Sequence, residues 1–175
     1  MRTAAVLAGG GLLAAGSVAG YLVGSRGDSE TTTVTIESTV VTGLPQPVAR
    51  ARAAVLAAAE RRDRDALRDL LAPGFKYTFG GPVEGGAIAF WRRLERDEGA
   101  DPLAALAQVL RLPYTLSRGL YVWPFAYDRT EDELTAHERK LLELLGRAGA
   151  FSDGYLGWRA GFEPDGDWVF FIAGD

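Results

Sequence analysis

An uncharged segment near the N-terminus, residues 4–23, constrains most strongly what this chain can fold into. It comes directly after the Arg2-Thr3 pair, is rich in Gly and Ala, and at about 1.5 Å per residue is long enough to cross the roughly 30 Å of hydrocarbon in a bilayer. We predict that residues 1–24 are either a cleaved signal peptide or a retained transmembrane anchor. In both cases residues 4–23 contact the membrane, so we expect either a secreted protein or a single-pass protein of the cell membrane whose domain lies outside the cytoplasm.

Three glycines, Gly16, Gly20 and Gly24, repeat every four residues in this region. Small residues at that spacing let two membrane helices approach closely, which predicts a dimer formed through the anchor. The alternative is that signal segments are simply rich in small residues. The spacing alone leaves both interpretations open.

Residues 25–46 follow as a Thr-rich stretch in which β-branched side chains favour extended backbone. We predict that this stretch is an extended spacer between the membrane and the domain. Alternation of Val and Thr over residues 33–41 leaves a short edge strand as the competing interpretation.

Residues 47–175 have the usual size of one domain, and we predict a single α+β extracytoplasmic domain there. The chain has 19 basic and 23 acidic side chains, a net charge of −4, which argues against nucleic-acid binding because such binding needs a basic face. Cysteine is absent and His137 is the only histidine, which excludes disulfides, thiolate nucleophiles and multi-histidine metal sites. We therefore expect no metal site and no cofactor.

Apolar periodicity predicts several helices packed on a small antiparallel sheet that ends in a C-terminal β-hairpin. Pro47 and the pair Asp101-Pro102 fit helix starts, and Thr135 and Glu138 have the spacing of a capping box. The predicted helices cover residues 47–61, 87–97, 102–112 and 135–145, with a short one from Asp63 to the Pro73-Gly74 pair. The predicted strands cover residues 75–79, 119–123, 155–162 and 168–173.

The last two predicted strands are joined by a turn in which Pro164 presets the backbone and Gly166 supplies a positive φ. Both faces of the final strand are apolar, as expected of a strand covered on both sides. Asp165 and Asp167 are interpreted as residues of this turn, because a calcium loop needs several more oxygen ligands.

The C-terminal region has the spacing Y-x-G-W-R-x-G over residues 155–161, followed by D-G-x-W-x-F-F-x-A-G-D over residues 165–175. Together with FGG at residues 79–81, FW at 90–91 and YVWP at 121–124, these segments resemble a family of exported bacterial proteins of unknown function. The resemblance covers residues 50–175. It implies an extracytoplasmic domain and no established activity.

The first predicted helices and strand also resemble the opening of the nuclear-transport-factor-2-like cone fold, in which two helices precede a curved sheet around a pocket. The helical pattern of residues 87–112 departs from that fold, which has long strands there. This alternative implies a small-molecule-binding protein, or an enzyme that uses a pocket carboxylate.

Glu84 is the first candidate ligand-binding residue, because it stands in the Gly-rich loop of residues 80–86. Glycines let a ligand approach the backbone, and the N-terminus of the following helix favours an anion. The competing interpretation is a tight strand-to-helix connection with a solvated acid. Carboxylate pairs for glycoside chemistry are also available in this region, drawn from Glu84, Glu95, Asp97 and Glu98.

Trp123 and Arg159 are the other candidate ligand-binding residues. Aromatic residues near the hairpin offer either a platform for a glycan or peptide or a filling for the core, the second being preferred. They are Tyr121, Trp123, Tyr127, Tyr155, Trp158 and Trp168. Arg159 stands between two glycines on its strand; if buried it must meet a carboxylate such as Asp153 or Asp175, and if exposed it can hold an anionic ligand.

No recognisable catalytic set accompanies these residues, and His137 is expected to be a solvated residue in the first turn of its helix. A non-enzymatic role is therefore favoured. We expect an extracytoplasmic domain that binds a cell-envelope ligand or protein partner through the side of its sheet that carries Trp123 and Arg159.

Overall fold

The computed structural model describes residues 43–146 and 151–173, which contain five α-helices and five β-strands. The predicted signal peptide or anchor, the glycine repeat at Gly16, Gly20 and Gly24, and most of the predicted spacer lie outside the described residues. Within the described ranges, no helix is both long and apolar enough to span a bilayer.

Two helices open the domain. Helix α1 is Gln46–Glu60, with Pro47 in its first turn as predicted, because a proline there removes no helical hydrogen bond. Helix α2 is the short segment Arg64–Asp69, and the carboxylate of Asp63 caps it by accepting a hydrogen bond from the Ala66 N–H at 3.0 Å.

Strand β1, Leu71–Lys76, begins four residues before the predicted strand at residues 75–79. Helix α2 ends early, so Leu71, which the apolar spacing assigned to that helix, belongs to the strand. A strand can contain Pro73 and Gly74 here because β1 lies at the edge of the sheet and has an irregular register.

Helices α3, Gly86–Asp97, and α4, Pro102–Arg111, confirm the sequence prediction closely. Pro102 stands in the first turn of α4, and the side chain of Asp101 caps the helix by accepting a hydrogen bond from the Ala104 N–H at 3.1 Å. Both helices are amphipathic, and their apolar faces are buried in the core.

Strands β2, Thr115–Ser117, and β3, Leu120–Trp123, form a hairpin, of which only β3 was predicted. Arg118 and Gly119 both have positive φ, of 50° and 84°, which is the backbone of a tight two-residue hairpin turn. The prediction missed β2 because an arginine rarely takes the first position of such a turn.

The segment after β3 contains a 3-10 turn, Glu131–Glu133, and helix α5, Ala136–Glu143. The capping box of Thr135 and Glu138 is present as predicted. Leu145, predicted to be in the helix, follows it instead and is buried in the core.

Strands β4, Arg159–Phe162, and β5, Trp168–Ile172, form the predicted C-terminal hairpin. Gly166 has a φ of +102°, which confirms its role in the turn. Strand β4 starts four residues later than predicted, because Tyr155 pairs with Phe151 in an isolated β-bridge and residues 156–158 are irregular.

The five strands form one sheet in the order β1-β5-β4-β3-β2. All neighbours are antiparallel except β1 and β5, which are parallel, so the prediction of a purely antiparallel sheet is wrong. Alternating side chains define the faces of a strand but not the direction of a partner distant in sequence, which is why the pattern did not reveal this pair.

Aromatic rings fill the core between the helices and one face of the sheet. The ring centroid of Trp91, from α3, lies 6.0 Å from that of Trp168 and 5.7 Å from that of Phe171, both in β5. Trp91, Trp123 and Trp168 are each 1% exposed, which confirms the preference for core over platform at Trp123 and Trp168.

Candidate functional site

Arg159, the first residue of β4, is a buried cation at one end of the sheet. Its side chain is 8% exposed, and its Nη1 donates hydrogen bonds to the carbonyl oxygens of Tyr155, at 3.2 Å, and Gly157, at 3.4 Å. Burial lowers the pKa of the Arg159 guanidinium, and the nearby Tyr127 and Tyr155 oppose that shift. An arginine nevertheless stays charged in a protein, so β4 carries a positive charge into the interior.

Two aromatic rings lie against this charge. The guanidinium carbon of Arg159 is 5.3 Å from the ring centroid of Phe79 and 6.0 Å from that of Tyr127, within the roughly 6 Å of a cation–π contact. Phe79 is 59% exposed although it is a large apolar side chain. The buried guanidinium of Arg159 therefore packs against the Phe79 ring, which faces solvent.

The expected pairing of a buried Arg159 with Asp153 is wrong, because Asp153 is exposed and makes no ion pair with it. The other predicted partner, Asp175, lies outside the described residues. Within the described part of the chain, Arg159 contacts two backbone carbonyl oxygens and two aromatic rings instead of a carboxylate.

Trp123 does not share a surface with Arg159, which corrects the expectation that both lie on one side of the sheet. Trp123 pairs with Ala160 in the sheet, and Ala160 points to the face opposite to that of its neighbour Arg159. The Trp123 ring is 1% exposed and packs edge-on against Phe162 at 5.4 Å. Trp123 is a core residue in this structure.

A cleft of about 330 Å³ opens beside Phe79, and four aromatic side chains line it. We call it the aromatic cleft. Its rings are those of Tyr77, Phe79, Phe90 and Trp158. The remaining wall is formed by Thr78, Gly80, Leu94, Glu98, Ala100 and Ala173.

A second cleft, of about 370 Å³, adjoins the first along helix α4, and we call it the α4 cleft. The two clefts share Glu98, Ala100 and Trp158. The α4 cleft is otherwise lined by Gly99, Asp101, Ala104, Ala105, Gln108 and Leu145. Trp158 and Glu98 therefore stand where the two clefts meet.

Trp158 is held in place by contacts on its ring and on its backbone. The indole stacks on Phe171, with centroids 4.7 Å apart and planes at 20°, and the Trp158 carbonyl accepts a hydrogen bond from the Tyr155 hydroxyl at 3.0 Å. Burial raises the pKa of the Tyr155 phenol, so the hydroxyl keeps the proton that it donates. The Trp158 ring thus has a fixed orientation before any ligand arrives.

The other rings of the aromatic cleft are also fixed by neighbours. The guanidinium carbon of Arg93 lies 5.3 Å from the ring centroid of Phe90, and the rings of Tyr77 and Phe90 are 5.6 Å apart. The Tyr77 hydroxyl accepts a hydrogen bond from the Val83 N–H at 2.8 Å. These contacts limit the rotamers of the rings and so lower the entropy that binding would cost.

Glu84 is exposed in the turn that leads to Gly85, the N-cap residue of α3. It follows Val83, whose backbone is anchored by Tyr77, and it lines neither cleft. The structure therefore does not bring Glu84 together with Arg159 or Trp123. The role of Glu84 as a ligand-binding residue stays a prediction.

Two of the other acids considered for paired-carboxylate chemistry are engaged in ion pairs. Glu95 lies 2.5 Å from Arg64, and Asp97 lies 2.7 Å from Arg96, whose hydrogen bond lowers the pKa of the Asp97 carboxyl. Glu98 is exposed and faces both clefts. Of the four acids, Glu98 is thus the one that lines the two clefts.

The remaining sequence candidates lie at the surface. His137 is exposed in the first turn of α5, as predicted. Glu163, Asp165 and Asp167 are exposed in the hairpin turn, with carboxylate oxygens within 4.8 Å of one another. The Asp167 N–H donates to the Asp165 carboxylate at 3.2 Å, as in a local turn.

Tyr77, Phe79 and Phe90 are the aromatic cleft residues that sequence reasoning did not single out as binding residues. A usable indication was present at Phe79, since a large ring directly before Gly80-Gly81 stands where a strand enters a flexible loop. For Phe90 the helical spacing indicated only a core residue, and the side chain is in fact half-buried at the cleft wall.

Comparison with protein-family models, curated proteins and solved structures finds no significant match to this chain. The resemblance to exported bacterial proteins therefore stays a prediction. The geometry of the two clefts and the sequence of the chain are the basis for assigning a function.

Proposed function

We propose that this chain is a non-enzymatic binding protein whose domain is displayed outside the cytoplasm and binds a cell-envelope ligand through the two adjoining clefts. The uncharged residues 4–23 and the Thr-rich residues 25–46 support the display, because together they provide a membrane segment and a spacer. The finer architecture that we propose is a signal or anchor, a spacer and one α+β domain.

The observation that carries the binding function is the position of Trp158 at the junction of both clefts, with its ring stacked on Phe171. Soluble proteins rarely leave an ordered group of aromatic side chains open to solvent without a use for it. A half-buried indole in a concave surface, with a carboxylate beside it, has the mixture of apolar wall and few polar groups that is typical of ligand sites.

Binding is favoured over catalysis by the composition of the cleft walls. Among the described residues that line the two clefts, Glu98 and Asp101 are the carboxylic acids, and none is a histidine, lysine or arginine. Asp101 forms a two-pronged ion pair with Arg62, at 2.9 and 3.0 Å. In the aromatic cleft the Thr78 and Tyr77 hydroxyls accept hydrogen bonds from the backbone N–H groups of Gly80 and Val83, and no hydrogen bond joins either hydroxyl to Glu98. The described side chains of these walls thus show no base bonded to a nucleophile, as general acid–base or covalent chemistry requires.

Display outside the cytoplasm is tested by fractionating the cells that make the protein and adding a protease to intact spheroplasts. We expect the domain in the membrane or medium fraction and accessible to the protease. Full-length protein in the soluble cytosol, protected from protease and still beginning with Met1, would refute this part of the proposal.

Binding is tested by sedimenting insoluble envelope material with the full chain, solubilised in a non-glycosidic detergent. We expect the wild type to sediment and Trp158→Ala to remain in solution. Leu116→Ala is the matched control, because Leu116 is a 61% exposed apolar residue outside both clefts. Equal sedimentation of wild type and Trp158→Ala would show that the clefts are not the binding surface.

A further inference from the structure

We infer that the ligand of the two clefts is an uncharged linear oligosaccharide that lies across Trp158, with sugar units on both sides of the indole. This inference rests on the proposed binding function and specifies its ligand. It is carried by the shape of the clefts, by the charges around them and by the position of the sheet edges.

The volumes of the clefts favour an oligomer over a single small molecule. At about 330 and 370 Å³, each cleft lies near the lower limit of the roughly 300 to 1,000 Å³ of ligand pockets. Each therefore holds only a small unit. A ligand made of repeated small units gains contacts in both clefts at once, and Trp158 is the aromatic side chain that both clefts share.

The rings and polar groups of the walls suit sugars. The C–H groups of a sugar ring carry partial positive charge and pack on the negative face of an indole, while its hydroxyls seek hydrogen-bond acceptors and donors. Glu98 supplies an acceptor at the junction, Thr78 a hydroxyl in the aromatic cleft, and Gln108 an amide in the α4 cleft. Polar groups thus stand on both sides of the Trp158 platform.

The charges disfavour an ionic ligand of either sign. Glu98 at the junction repels an acidic sugar. Among the described residues no basic side chain lines either cleft, and the Arg159 and Arg93 guanidinium groups lie against the Phe79 and Phe90 rings. A cationic ligand would compete with Arg159 and Arg93, whose guanidinium groups already lie against the Phe79 and Phe90 rings. An uncharged ligand meets neither penalty.

The sheet topology disfavours an extended peptide. Such peptides commonly bind by adding a strand to a free sheet edge. Trp158 directly precedes β4 and Ala173 follows β5, and both strands are already paired on each side in the order β1-β5-β4-β3-β2. No free edge of β4 or β5 is available at the clefts. The edge strand β1 ends at Lys76, just before Tyr77 of the aromatic cleft, and it contains Pro73, which cannot donate a backbone hydrogen bond to an added strand. A saccharide needs no strand edge.

The experiment measures binding of the full chain, in a non-glycosidic detergent, to three probes of equal length by calorimetry. The probes are N-acetylchitohexaose, cellohexaose and hexagalacturonate. We expect at least one of the two uncharged hexamers to bind, and hexagalacturonate to bind about ten-fold or more weakly. The monosaccharides N-acetylglucosamine and glucose should bind about a hundred-fold more weakly than the hexamers, because they fill one cleft only.

Three variants test the geometry. Trp158→Ala should weaken binding of the hexamer about ten-fold or more, Trp158→Phe should recover part of that loss by keeping a flat ring, and Leu116→Ala should bind like the wild type. A fourth variant, Glu98→Gln, tests the charge. Loss of the carboxylate acceptor should weaken binding of the uncharged hexamer slightly, and loss of the negative charge should strengthen binding of hexagalacturonate, so the ratio of the two affinities should fall. If Glu98→Gln and the wild type have the same ratio of affinities for the uncharged hexamer and hexagalacturonate, the charge of Glu98 does not determine this selectivity.

The outcomes separate this inference from the proposed function. If neither uncharged hexamer binds, or if hexagalacturonate binds best, the oligosaccharide assignment is wrong. The proposed function survives that result if envelope material still sediments the wild type and not Trp158→Ala. Trp158-dependent sedimentation that persists after glycosidase treatment and is lost after protease treatment identifies a protein partner and also overturns the assignment.

Discussion

The guanidinium carbon of Arg159, a residue that is 8% exposed, lies 5.3 Å from the ring centroid of Phe79, which is 59% exposed. The buried guanidinium of Arg159 and the exposed ring of Phe79 thus stabilise each other at the surface of the domain. Arg159 acts here as a positioning residue: it holds a wall of the aromatic cleft without lining that cleft itself.

This contact predicts that Arg159→Met increases the mobility of the Phe79 ring and lowers the free energy of unfolding only modestly. The variant loses hydrogen bonds worth about 1 kcal/mol each to the Tyr155 and Gly157 carbonyls, but it also removes a buried charge, so the free energy of unfolding should fall by less than about 2 kcal/mol. Fluorine NMR of a fluorinated ring at Phe79 should show a narrower line than in the wild type. An unchanged line would show that Arg159 does not hold the ring.

A second prediction concerns Gly161, which leaves room for the Phe170 ring on the neighbouring strand. A Cβ at position 161 would lie 2.1 Å from a ring carbon of Phe170, so Gly161→Ala should lower the free energy of unfolding by about 2 kcal/mol in urea denaturation. Gly154→Ala is the control, since no atom lies within 4 Å of a Cβ there.

The same prediction has an internal check in the double variant. If the clash with Phe170 is the cause, Gly161→Ala should cost much less in a Phe170→Ala background than in the wild type. Equal costs in the two backgrounds would point to a backbone effect instead.

Features set by neighbours in sequence were predictable from the sequence. The Asp101-Pro102 start of α4, the capping box of Thr135 and Glu138, and the Gly166 turn all depend on interactions within a few residues, and all are present. The α+β class followed from the same local patterns.

Features that depend on distant segments were not predictable. The parallel pairing of β1 with β5 joins Leu71 to Trp168, nearly a hundred residues apart, and no local pattern encodes it. The clefts likewise combine Phe79, Glu98 and Trp158 from three separate segments. Trp123 was assigned to the binding surface because aromatic type alone does not reveal which face of a strand is covered.

A third prediction concerns Arg52 of α1, whose Nε donates a hydrogen bond to the Leu110 carbonyl in the last turn of α4, at 2.8 Å. Its Nη2 bonds the same oxygen. The carbonyls at a helix C-terminus lack helical partners and carry partial negative charge. A cation there donates a hydrogen bond to such a carbonyl and also interacts favourably with its negative charge. Arg52→Met should therefore lower the free energy of unfolding by about 1.5 to 3 kcal/mol.

Arg50 provides the matched control for this prediction, because it lies on the same helix and is exposed. Arg50→Met should change the free energy of unfolding by less than about 0.5 kcal/mol in the same urea titration. Similar effects of both substitutions would mean that loss of charge from α1, rather than the bond to Leu110, determines stability.

The last prediction concerns the pH dependence of stability that arises from Asp101 and Arg62. The hydrogen bonds from Arg62, at 2.9 and 3.0 Å, lower the pKa of the Asp101 carboxyl below its ordinary value of 3.8. A carboxyl whose pKa is lower in the folded state stabilises the fold above its unfolded pKa, and that stabilisation disappears as the pH falls through the folded pKa. Asp101→Asn keeps an N-cap side chain but loses the charge, so the variant reports what the carboxylate charge contributes through Arg62 and through the cap bond from the Ala104 N–H.

At pH 7, Asp101→Asn should be less stable than the wild type by about 1 kcal/mol, a small value because both side chains are partly exposed and screened by solvent. The difference should shrink as the pH falls below about 4 and vanish once the pH lies below the lowered pKa of Asp101, and added salt should reduce it at pH 7. Asp97→Asn is the control, since its exposed carboxyl pairs with the adjacent Arg96 rather than with a separate element. A wild type and an Asp101→Asn variant whose unfolding free energies run parallel from pH 7 to pH 2 would show that Arg62 and Asp101 contribute no stability through their charges.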